Sequence, residues 1–294
     1  MSAIKTVIAT VNGTDYTLTY NSTSGAYEAS ITAPTKSSYN ETNHVYPITV
    51  KATDVAGNVA TDTSKSIRVK EKTTPVVTFT SPTSGAGLTN NKPTIKINVT
   101  DSDSGVDLST FVLKIDSGVA VTGYTSTAIT NGYTITYTPT TALTDGNHTI
   151  TASVSDNDGN VSTTASITIK IDTAPPTLTI TAPTDATFVN KASCTVSGTT
   201  NDALSSPVTV AITVGGTDVG SVTVGSDGAF SKTITLVEGA NTIVVTSTDA
   251  LGKSTSVTRT VTLDTSVPVF SSITVTPNPV DTGATYVISV KVTS

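Results

Sequence analysis

The chain has 294 residues, of which 13% are charged, and its formal net charge is −6. Such an acidic chain lacks the basic surface of a nucleic-acid-binding protein, and its single cysteine, Cys194, excludes an intramolecular disulfide framework. Its richness in Thr, Val and Ile is typical of β-sheet proteins, because β-branched side chains suit a pleated, half-buried surface.

The N-terminal stretch MSAIKTVIATVNG contains no apolar segment followed by a cleavage site, so no signal peptide is predicted. No apolar run approaches the roughly 18 residues of a membrane span, so membrane insertion is not expected. We therefore expect a chain that is made in the cytoplasm and leaves through lysis or as part of a larger object. A fragment of a secreted protein would show the same sequence features.

Residues 1–72 form the first predicted unit, which is shorter than the later ones. In an alignment with the next unit, TVIATVNG at Thr6–Gly13 matches FVLKIDSG at Phe111–Gly118, and AYEASITAP matches YTITYTP. These stretches correspond to strands C and E of a β-sandwich, so we expect an incomplete sandwich domain that lacks strands A and B. Such a domain exposes half of its core and a free sheet edge.

Residues 73–173 are predicted to form a complete seven-stranded sandwich, because alternating runs are separated by turn signals at intervals of about 8–12 residues. In strand B, for example, Ile95, Ile97 and Val99 alternate with polar residues and define the inward face. Residues 174–265 show the same succession of hairpins and are predicted to form another sandwich.

One pattern occurs in all three units: an alternating strand, an Asp-x-x-Gly turn and a second alternating strand. The copies read YPITVKATDVAGNVAT, HTITASVSDNDGNVST and NTIVVTSTDALGKSTS, starting at Tyr46, His148 and Asn241. They recur about every 100 residues, the size of an immunoglobulin-like sandwich. An acidic residue, a threonine and a proline follow each copy, which predicts a short, stiff joint.

The last segment, residues 266–294, reads as two strands joined by a turn rich in Pro and Gly. ITVTPNP matches strand A of the middle unit, and VISVKVTS at Val287–Ser294 matches strand B at Thr94–Asp101. The tail and the first unit are thus complementary parts of one sandwich. Because a lone hairpin is at best marginally stable in water, we expect the tail to complete a sandwich.

Strand addition to an open sheet edge can complete the first unit in two ways. The tail of another copy would build a head-to-tail filament or ring, whereas the chain's own tail would close the domain in cis. As a third alternative, the ends are boundaries of a longer array, or another protein donates the strands. Burial of four alternating tail side chains would contribute roughly 6–12 kcal/mol, at about 1.5–3 kcal/mol each. The predicted interface consists of Ile273, Val275, Tyr286, Ile288, Val290 and Val292 in the tail and Val7 and Val11 in the first unit.

The Asp-x-x-Gly-Asn turn, the strand after it and the Asp-Thr-x-x-Pro joint resemble those of bacterial Ig-like domains. The resemblance covers nearly the whole chain. It implies an all-β fold of tandem immunoglobulin-like β-sandwiches, the first of them completed by C-terminal strands in trans or in cis. Domains of this family occur in tandem in bacterial surface adhesins and in phage virion proteins, although the fold by itself does not define a function.

No catalytic site is predicted. His44 and His148 each precede a strand of their repeat, where partly exposed structural residues are expected, and Cys194 lies in an alternating strand as a small hydrophobe. The chain contains no nucleophile-elbow, zinc-protease or phosphate-loop motif. It has no Trp, and its 9 Tyr are dispersed among the strands, which does not favour a sugar-binding aromatic platform.

Acidic turns indicate a calcium site at the joint before the middle sandwich. DSDSGVD is the predicted loop between strands B and C, and DNDGN is the loop between F and G. Both lie at the end of the sandwich where the link from the first unit enters, and Ca²⁺ prefers such oxygen ligands. The alternative is that each Asp caps its own turn. The predicted ligands are Glu71, Asp101, Asp103, Asp107, Asp156 and Asp158; no other cofactor is expected. The joints near Asp172, Asp202 and Asp249, and near Asp264 and Asp54, contain fewer acids and are weaker candidates.

These observations predict a non-enzymatic structural protein of a phage or prophage virion, in the tail, in a fibre or on the capsid surface. The predicted partners are other copies of the chain, other virion proteins, and a glycan or protein of the host surface. One alternative is a fragment of an adhesin stalk on the bacterial cell surface. Another is an accessory module of a polysaccharide-degrading enzyme, which would need an aromatic face and a catalytic neighbour.

Overall fold

The structure, a computed structural model, describes residues 3–294. These residues form 23 β-strands and one short 3-10 helix, so the prediction of an all-β fold is confirmed. The chain divides into two compact units, residues 1–171 and 172–294, which are described separately. None of the described residues belongs to a helix with the length and apolar character of a membrane span.

The N-terminal part of the first unit is a single five-stranded sheet in the order β3-β2-β1-β4-β5, in which all neighbours are antiparallel. Its strands are β1 (Ile4–Val11), β2 (Thr14–Asn21), β3 (Ala26–Glu28), β4 (Tyr46–Asp54) and β5 (Val59–Ile67), and the 3-10 helix Thr42–His44 precedes β4. We call this sheet the first sheet. Val7, Ala9 and Val11 are buried on one face of β1, because side chains alternate along a strand.

The stretch AYEASITAP corrects one sequence-based expectation. It was expected to form a strand E, which in a sandwich pairs with strand B. Only Ala26–Glu28 is a strand, and it extends the sheet of β1 and β2 through the pair Tyr20↔Tyr27. Residues 4–67 contain no second sheet with which this stretch could pair, so it remains in the local hairpin.

The rest of the first unit is a two-sheet sandwich. One sheet has the order β10-β11-β8-β6 and the other β7-β13-β12-β9. The strands are β6 (Val76–Ser81), β7 (Gly87–Leu88), β8 (Ile95–Thr100), β9 (Val106–Ile115), β10 (Thr125–Ile129), β11 (Gly132–Tyr137), β12 (Gly146–Asp156) and β13 (Ala165–Ile171). The short β7 runs parallel to β13, whereas the other pairs are antiparallel.

The two sheets of this middle sandwich share one hydrophobic core. Ile97 of β8, Leu113 of β9 and Ile150 of β12 are completely buried in it. In β8 the buried residues alternate with more exposed ones, as the sequence predicts. Since burial of one such side chain contributes about 1.5–3 kcal/mol, this core is the main source of stability.

The second unit contains another sandwich, with sheets in the orders β14-β16-β19 and β15-β21-β20-β17-β18. Its strands are β14 (Thr177–Ala182), β15 (Thr187–Val189), β16 (Ser193–Asn201), β17 (Thr209–Val214), β18 (Thr217–Asp218), β19 (Ala229–Thr235), β20 (Gly239–Thr248) and β21 (Ser254–Leu263). The short β15 runs parallel to β21. Val196, Ile212 and Ile243 are completely buried in its core, and Cys194 packs against that core half-buried.

The tail forms the predicted hairpin of two strands, β22 (Val269–Thr276) and β23 (Val287–Thr293), which make a two-stranded sheet. Like the pairs β6–β8 and β14–β16, β22 and β23 are antiparallel with one register shift. The shift lies near the start of β22, at Phe270/Ser272, whereas in β6 and β14 it lies near the end of the strand. The hairpin's apolar side chains are exposed, among them Phe270, Ile288 and Val292.

Candidate functional site

Three acidic side chains meet in the first unit, where the link after β5 reaches the middle sandwich. They are Glu71 in the link, Asp101 directly after β8 and Asp156 at the end of β12, and we call them the first acidic cluster. One carboxylate oxygen of each lies within 4.8 Å of the others. Asp101 and Asp156 are buried, and Glu71 is half-buried. The structure thus brings together half of the predicted calcium ligands.

The two aspartates of the first acidic cluster also shape their own loops. Asp101 Oδ1 accepts hydrogen bonds from the main-chain N–H groups two and four residues later, at 3.0 and 2.8 Å. Asp156 Oδ1 does the same at 2.9 and 2.8 Å, and its Oδ2 accepts a bond from the Asn160 side-chain amide at 2.7 Å. Each of the two aspartates therefore caps its own turn and also lies close to the other carboxylates of the cluster.

Glu71 ties the link to the loop between β8 and β9. Its Oε1 accepts a hydrogen bond from the N–H of Ser104 at 2.7 Å. Burial raises the pKa of Glu71 above its usual value, and the nearby carboxylates of Asp101 and Asp103 also raise it. The hydrogen bond from Ser104 lowers the pKa, but its effect is smaller. A cation at this position would reverse this tendency, because it favours the ionised carboxylate.

Two other predicted ligands fasten the first sheet's loop to the middle sandwich. Asp158 Oδ2 accepts a hydrogen bond from Ser37 Oγ at 2.5 Å, and Asp103 Oδ2 accepts one from the Ser37 N–H at 3.0 Å. Asn40 donates to the Asp103 carbonyl at 2.5 Å, and Lys70 Nζ donates to the Asp158 carbonyl at 2.8 Å. We call these contacts the polar joint. Sequence reasoning missed Ser37 and Asn40, because the segment that contains them shows no periodic pattern.

Asp107 lies apart from the first acidic cluster. Its Oδ1 accepts hydrogen bonds from the N–H and Oγ of Ser109, at 3.0 and 2.6 Å, within its own turn. The structure therefore gives this residue the capping role that sequence reasoning kept as the alternative.

Asp172, Asp202 and Asp249 form a second acidic cluster, in the second unit. One carboxylate oxygen of each lies within 4.8 Å of the others, as in the first cluster. Asp172 precedes β14, Asp202 follows β16 and Asp249 follows β20. Sequence reasoning ranked this group lower because its loops contain fewer acids, but the structure brings the three together just as closely.

Both histidines have structural contacts. His148 Nδ1 lies 2.6 Å from Asp116 Oδ2, and its Nε2 lies 2.7 Å from the Thr144 carbonyl oxygen. Burial lowers the pKa of His148, but the bonds to Thr144 and Asp116 outweigh it, so the pKa is raised. His44 stacks on Tyr39, with ring centroids 4.4 Å apart. Since both nitrogens of His148 are engaged, neither is free to act as a general base.

The predicted interface residues fall into two groups. In the tail, Ile273, Val275, Tyr286, Ile288, Val290 and Val292 are exposed, so they are available for contact. In β1, by contrast, Val7 and Val11 are buried and offer little free surface. On the neighbouring β4, Ile48 and Val50 lie opposite Val11 and Ala9 and are half-buried.

Family models match two parts of the chain. Residues 78–173 match the model described as bacterial Ig-like domain, and residues 176–265 match the model described as glucodextranase, domain B. The predicted resemblance to a tandem array of bacterial Ig-like domains is thereby confirmed. No curated protein matches the chain.

Several solved structures are similar to the chain at low sequence identity. The I-band fragment I67–I69 from titin is 13% identical, with a TM-score of 0.44, over 90% of this chain and 89% of that chain. The fibronectin(III)-like modules of Clostridium thermocellum CbhA are 21% identical, with a TM-score of 0.35, over 64% and 94%. The tetra-tandem repeat in the extending region of a large adhesion protein is 21% identical, with a TM-score of 0.32, over 98% and 79%.

Proposed function

We propose that this chain, a tandem array of bacterial Ig-like sandwiches, is a non-catalytic structural and adhesive part of a phage or prophage virion, in the tail, in a fibre or on the capsid surface. The polar joint is the observation that carries the structural role. Ser37, Asp103 and Asp158 connect the first sheet to the next sandwich through direct hydrogen bonds. Domains that are joined by direct hydrogen bonds are suited to a spacer that presents a binding surface at a distance.

The partners that we propose are other virion proteins and a glycan or protein of the host surface. A stalk on the bacterial cell surface is the second setting, since the same architecture would serve there. The first acidic cluster is the proposed calcium site of this role. A bound ion would connect Glu71 of the link with Asp101 and Asp156 of the sandwich and so stiffen the joint.

Particle fractionation tests the virion setting. Phage particles are induced from a host that carries the gene, purified on a density gradient and analysed by mass spectrometry. We expect peptides of this chain to sediment with the capsid protein at a constant ratio across the particle peak. Peptides found in the cell envelope and missing from the particles would contradict the virion and favour the bacterial surface stalk.

An accessory module of a polysaccharide-degrading enzyme is a second candidate, favoured by the match of residues 176–265 to glucodextranase domain B. In this sandwich Phe188 is 76% exposed, beside Asn190 and Lys191. An exposed aromatic ring can stack on a sugar. Affinity electrophoresis in gels that contain dextran tests this candidate. If dextran retards the unmodified chain and the Phe188→Ala variant is not retarded, the accessory module is favoured. If dextran leaves the mobility of the unmodified chain unchanged, the accessory module is contradicted.

We also propose that the β22–β23 hairpin packs on the first sheet of another copy of the chain. The hairpin is an antiparallel strand pair, as are β6–β8 and β14–β16, which pack against the other sheet of their own sandwiches. In the first sheet, β1, β4 and β5 are neighbours in the same order as β9, β12 and β13 in the middle sandwich. In that sandwich, the pair β6–β8 packs over β9, β12 and β13. Such a contact is heterologous and builds filaments or rings.

Replacement of Val290 by lysine is expected to abolish this association. A charge on the apolar face of β23 must be desolvated in the contact, which is unfavourable without a partner. In sedimentation over a concentration series, the unmodified chain should form larger species and Val290→Lys should remain monomeric. Ser289→Lys, on the opposite face of the same strand, should associate like the unmodified chain. A monomer at all concentrations for the unmodified chain would refute the contact.

A further inference from the structure

In both sandwiches the strand that corresponds to β23 is paired on both of its edges. β8 lies between β6 and β11, and β16 lies between β14 and β19. β23 takes the place of β8 in the alignment of the tail with the middle sandwich, but it pairs with β22 alone. One edge of β23 is therefore free, and a free edge offers a row of main-chain donors and acceptors to a further strand.

The first sheet contains a segment that suits such an edge. The alternation of apolar and polar side chains continues beyond β3, over the stretch YEASI at residues 27–31. The strand nevertheless ends at Glu28, and residues 30–33 are exposed. Within the described part of the chain, no hydrogen bond involves the main-chain groups of residues 30–33. What this segment lacks for a longer strand is a neighbouring strand with a free edge.

We infer that residues 29–33 become a strand on the free edge of β23 when the hairpin of another copy packs on the first sheet. The inference rests on that proposed contact and specifies its strand pairing. The resulting order, with β22, β23 and the segment as neighbours, matches the order of β6, β8 and β11 in the middle sandwich. Pro34 follows the segment as Pro139 follows β11, and a proline ends a strand because it cannot donate to the ladder.

The middle sandwich supplies the register of this pairing. There, three residues of β11 lie opposite three residues of β8, in the pairs Tyr133↔Val99, Ile135↔Ile97 and Tyr137↔Ile95. The alignments replace the β8 residues by residues of β23, and the β11 residues by the alternating apolar residues of the segment. The pairs across the contact are then Tyr27 with Val292, Ala29 with Val290, and Ile31 with Ile288. Apolar side chains thus meet apolar side chains on one face of the ladder.

The other face of the same register brings two opposite charges together. Glu28 lies opposite Lys291 of the other copy, at the position where Thr134 donates to Asn98 at 2.8 Å in the middle sandwich. Both charged side chains are exposed, and none of the ion pairs among the described residues involves either of them. Glu28 accepts hydrogen bonds only from neutral side chains of its own hairpin, at 2.5 and 2.9 Å. Because opposite charges directly across a ladder stabilise it and like charges destabilise it, this pair favours the stated register.

Strand formation couples the local folding of the segment to the association of two copies. Ordering a segment costs conformational entropy, so residues 29–33 do not form a strand where no neighbour is available. When β23 supplies the neighbour, main-chain hydrogen bonds across the ladder are added to the packing of side chains. The contact then consists of a packed face and a paired edge, and both belong to the same two copies.

Charge reversal in the full-length chain tests the register. Glu28→Lys and Lys291→Glu each place like charges opposite one another, so either variant alone should associate at least about threefold more weakly than the unmodified chain in sedimentation. An equimolar mixture of the two variants should recover the association, because each tail then meets the opposite charge on the other variant. Asp15→Lys is the control, since it changes the net charge equally at an exposed position of β2. It should associate like the unmodified chain.

Hydrogen exchange with mass spectrometry provides a second measurement, and circular dichroism checks that each variant is folded. Peptides that contain residues 29–33 should be protected in the associated chain and unprotected in the Val290→Lys monomer. The strand pairing is wrong, and the hairpin contact stands, if Val290→Lys abolishes association but the charge variants associate normally or the segment stays unprotected. If the unmodified chain is monomeric at all concentrations, the hairpin contact and the strand pairing are both wrong.

Discussion

Replacement of Leu113 by alanine is expected to lower the free energy of unfolding of the middle sandwich by about 3 kcal/mol. Leu113 is completely buried in β9, within the core that both sheets share. The substitution removes apolar atoms from this core and leaves a cavity. The neighbouring strands β12 and β8 are each paired on both sides, so the closely packed core collapses only in part and most of the cavity remains.

Native-state hydrogen exchange with mass spectrometry measures this effect in the intact chain, on peptides from β12 and β13. These strands are central to the sandwich and report its global unfolding. Val119→Ala is the control, because Val119 is 92% exposed and its replacement should change the free energy by less than about 0.5 kcal/mol. Equal protection in both variants would show that Leu113 does not belong to a rigid core.

Replacement of Gly198 by alanine is expected to destabilise the sandwich of the second unit by at least about 2 kcal/mol. A Cβ atom at this position in β16 would lie 2.2 Å from the Thr179 carbonyl oxygen and 2.8 Å from Cζ of Phe230. Neither neighbour can yield easily, since one is main chain of β14 and the other is a buried ring. The pairing of β14 with β16 must therefore shift.

Thermal unfolding of the intact chain, with hydrogen exchange to assign the transition, measures the loss. Thr195→Ala in the same strand is the matched control. Thr195 is exposed, and its replacement should cost less than about 1 kcal/mol, the range of strand propensities. A Gly198→Ala variant as stable as the control would mean that the two strands can separate here without cost.

The sandwiches could be predicted from the sequence because their inner strands carry a clear period of two. In β8 the alternation of Ile95, Ile97 and Val99 with polar residues is a direct consequence of one buried and one exposed face. The stretch AYEASITAP could not be assigned in this way. Its pairing depends on which strands are available as neighbours, and residues 4–67 offer only the sheet of β1 and β2.

The candidate sites were predictable in part for a similar reason. Loop positions in the repeat indicated that Glu71, Asp101 and Asp156 converge. The second cluster was ranked lower because sequence reasoning compared the number of acids in each loop, although its three carboxylates lie as close together as those of the first. What distinguishes Asp249 is that its buried Oδ2 has no donor, because Lys253 stands where Asn160 of the middle sandwich donates to Asp156. The difference is visible in the sequence, but its meaning requires the hydrogen-bond geometry.

The two short parallel pairs, β7 with β13 and β15 with β21, have a mechanical consequence. In each sandwich a segment near the start of the domain runs alongside its last strand. When tension is applied to the two ends of such a domain, these strands slide past each other in shear. Their hydrogen bonds must then break together, whereas in peeling they would break one after another. The short parallel pair of each sandwich therefore resists extension of the domain close to its point of attachment.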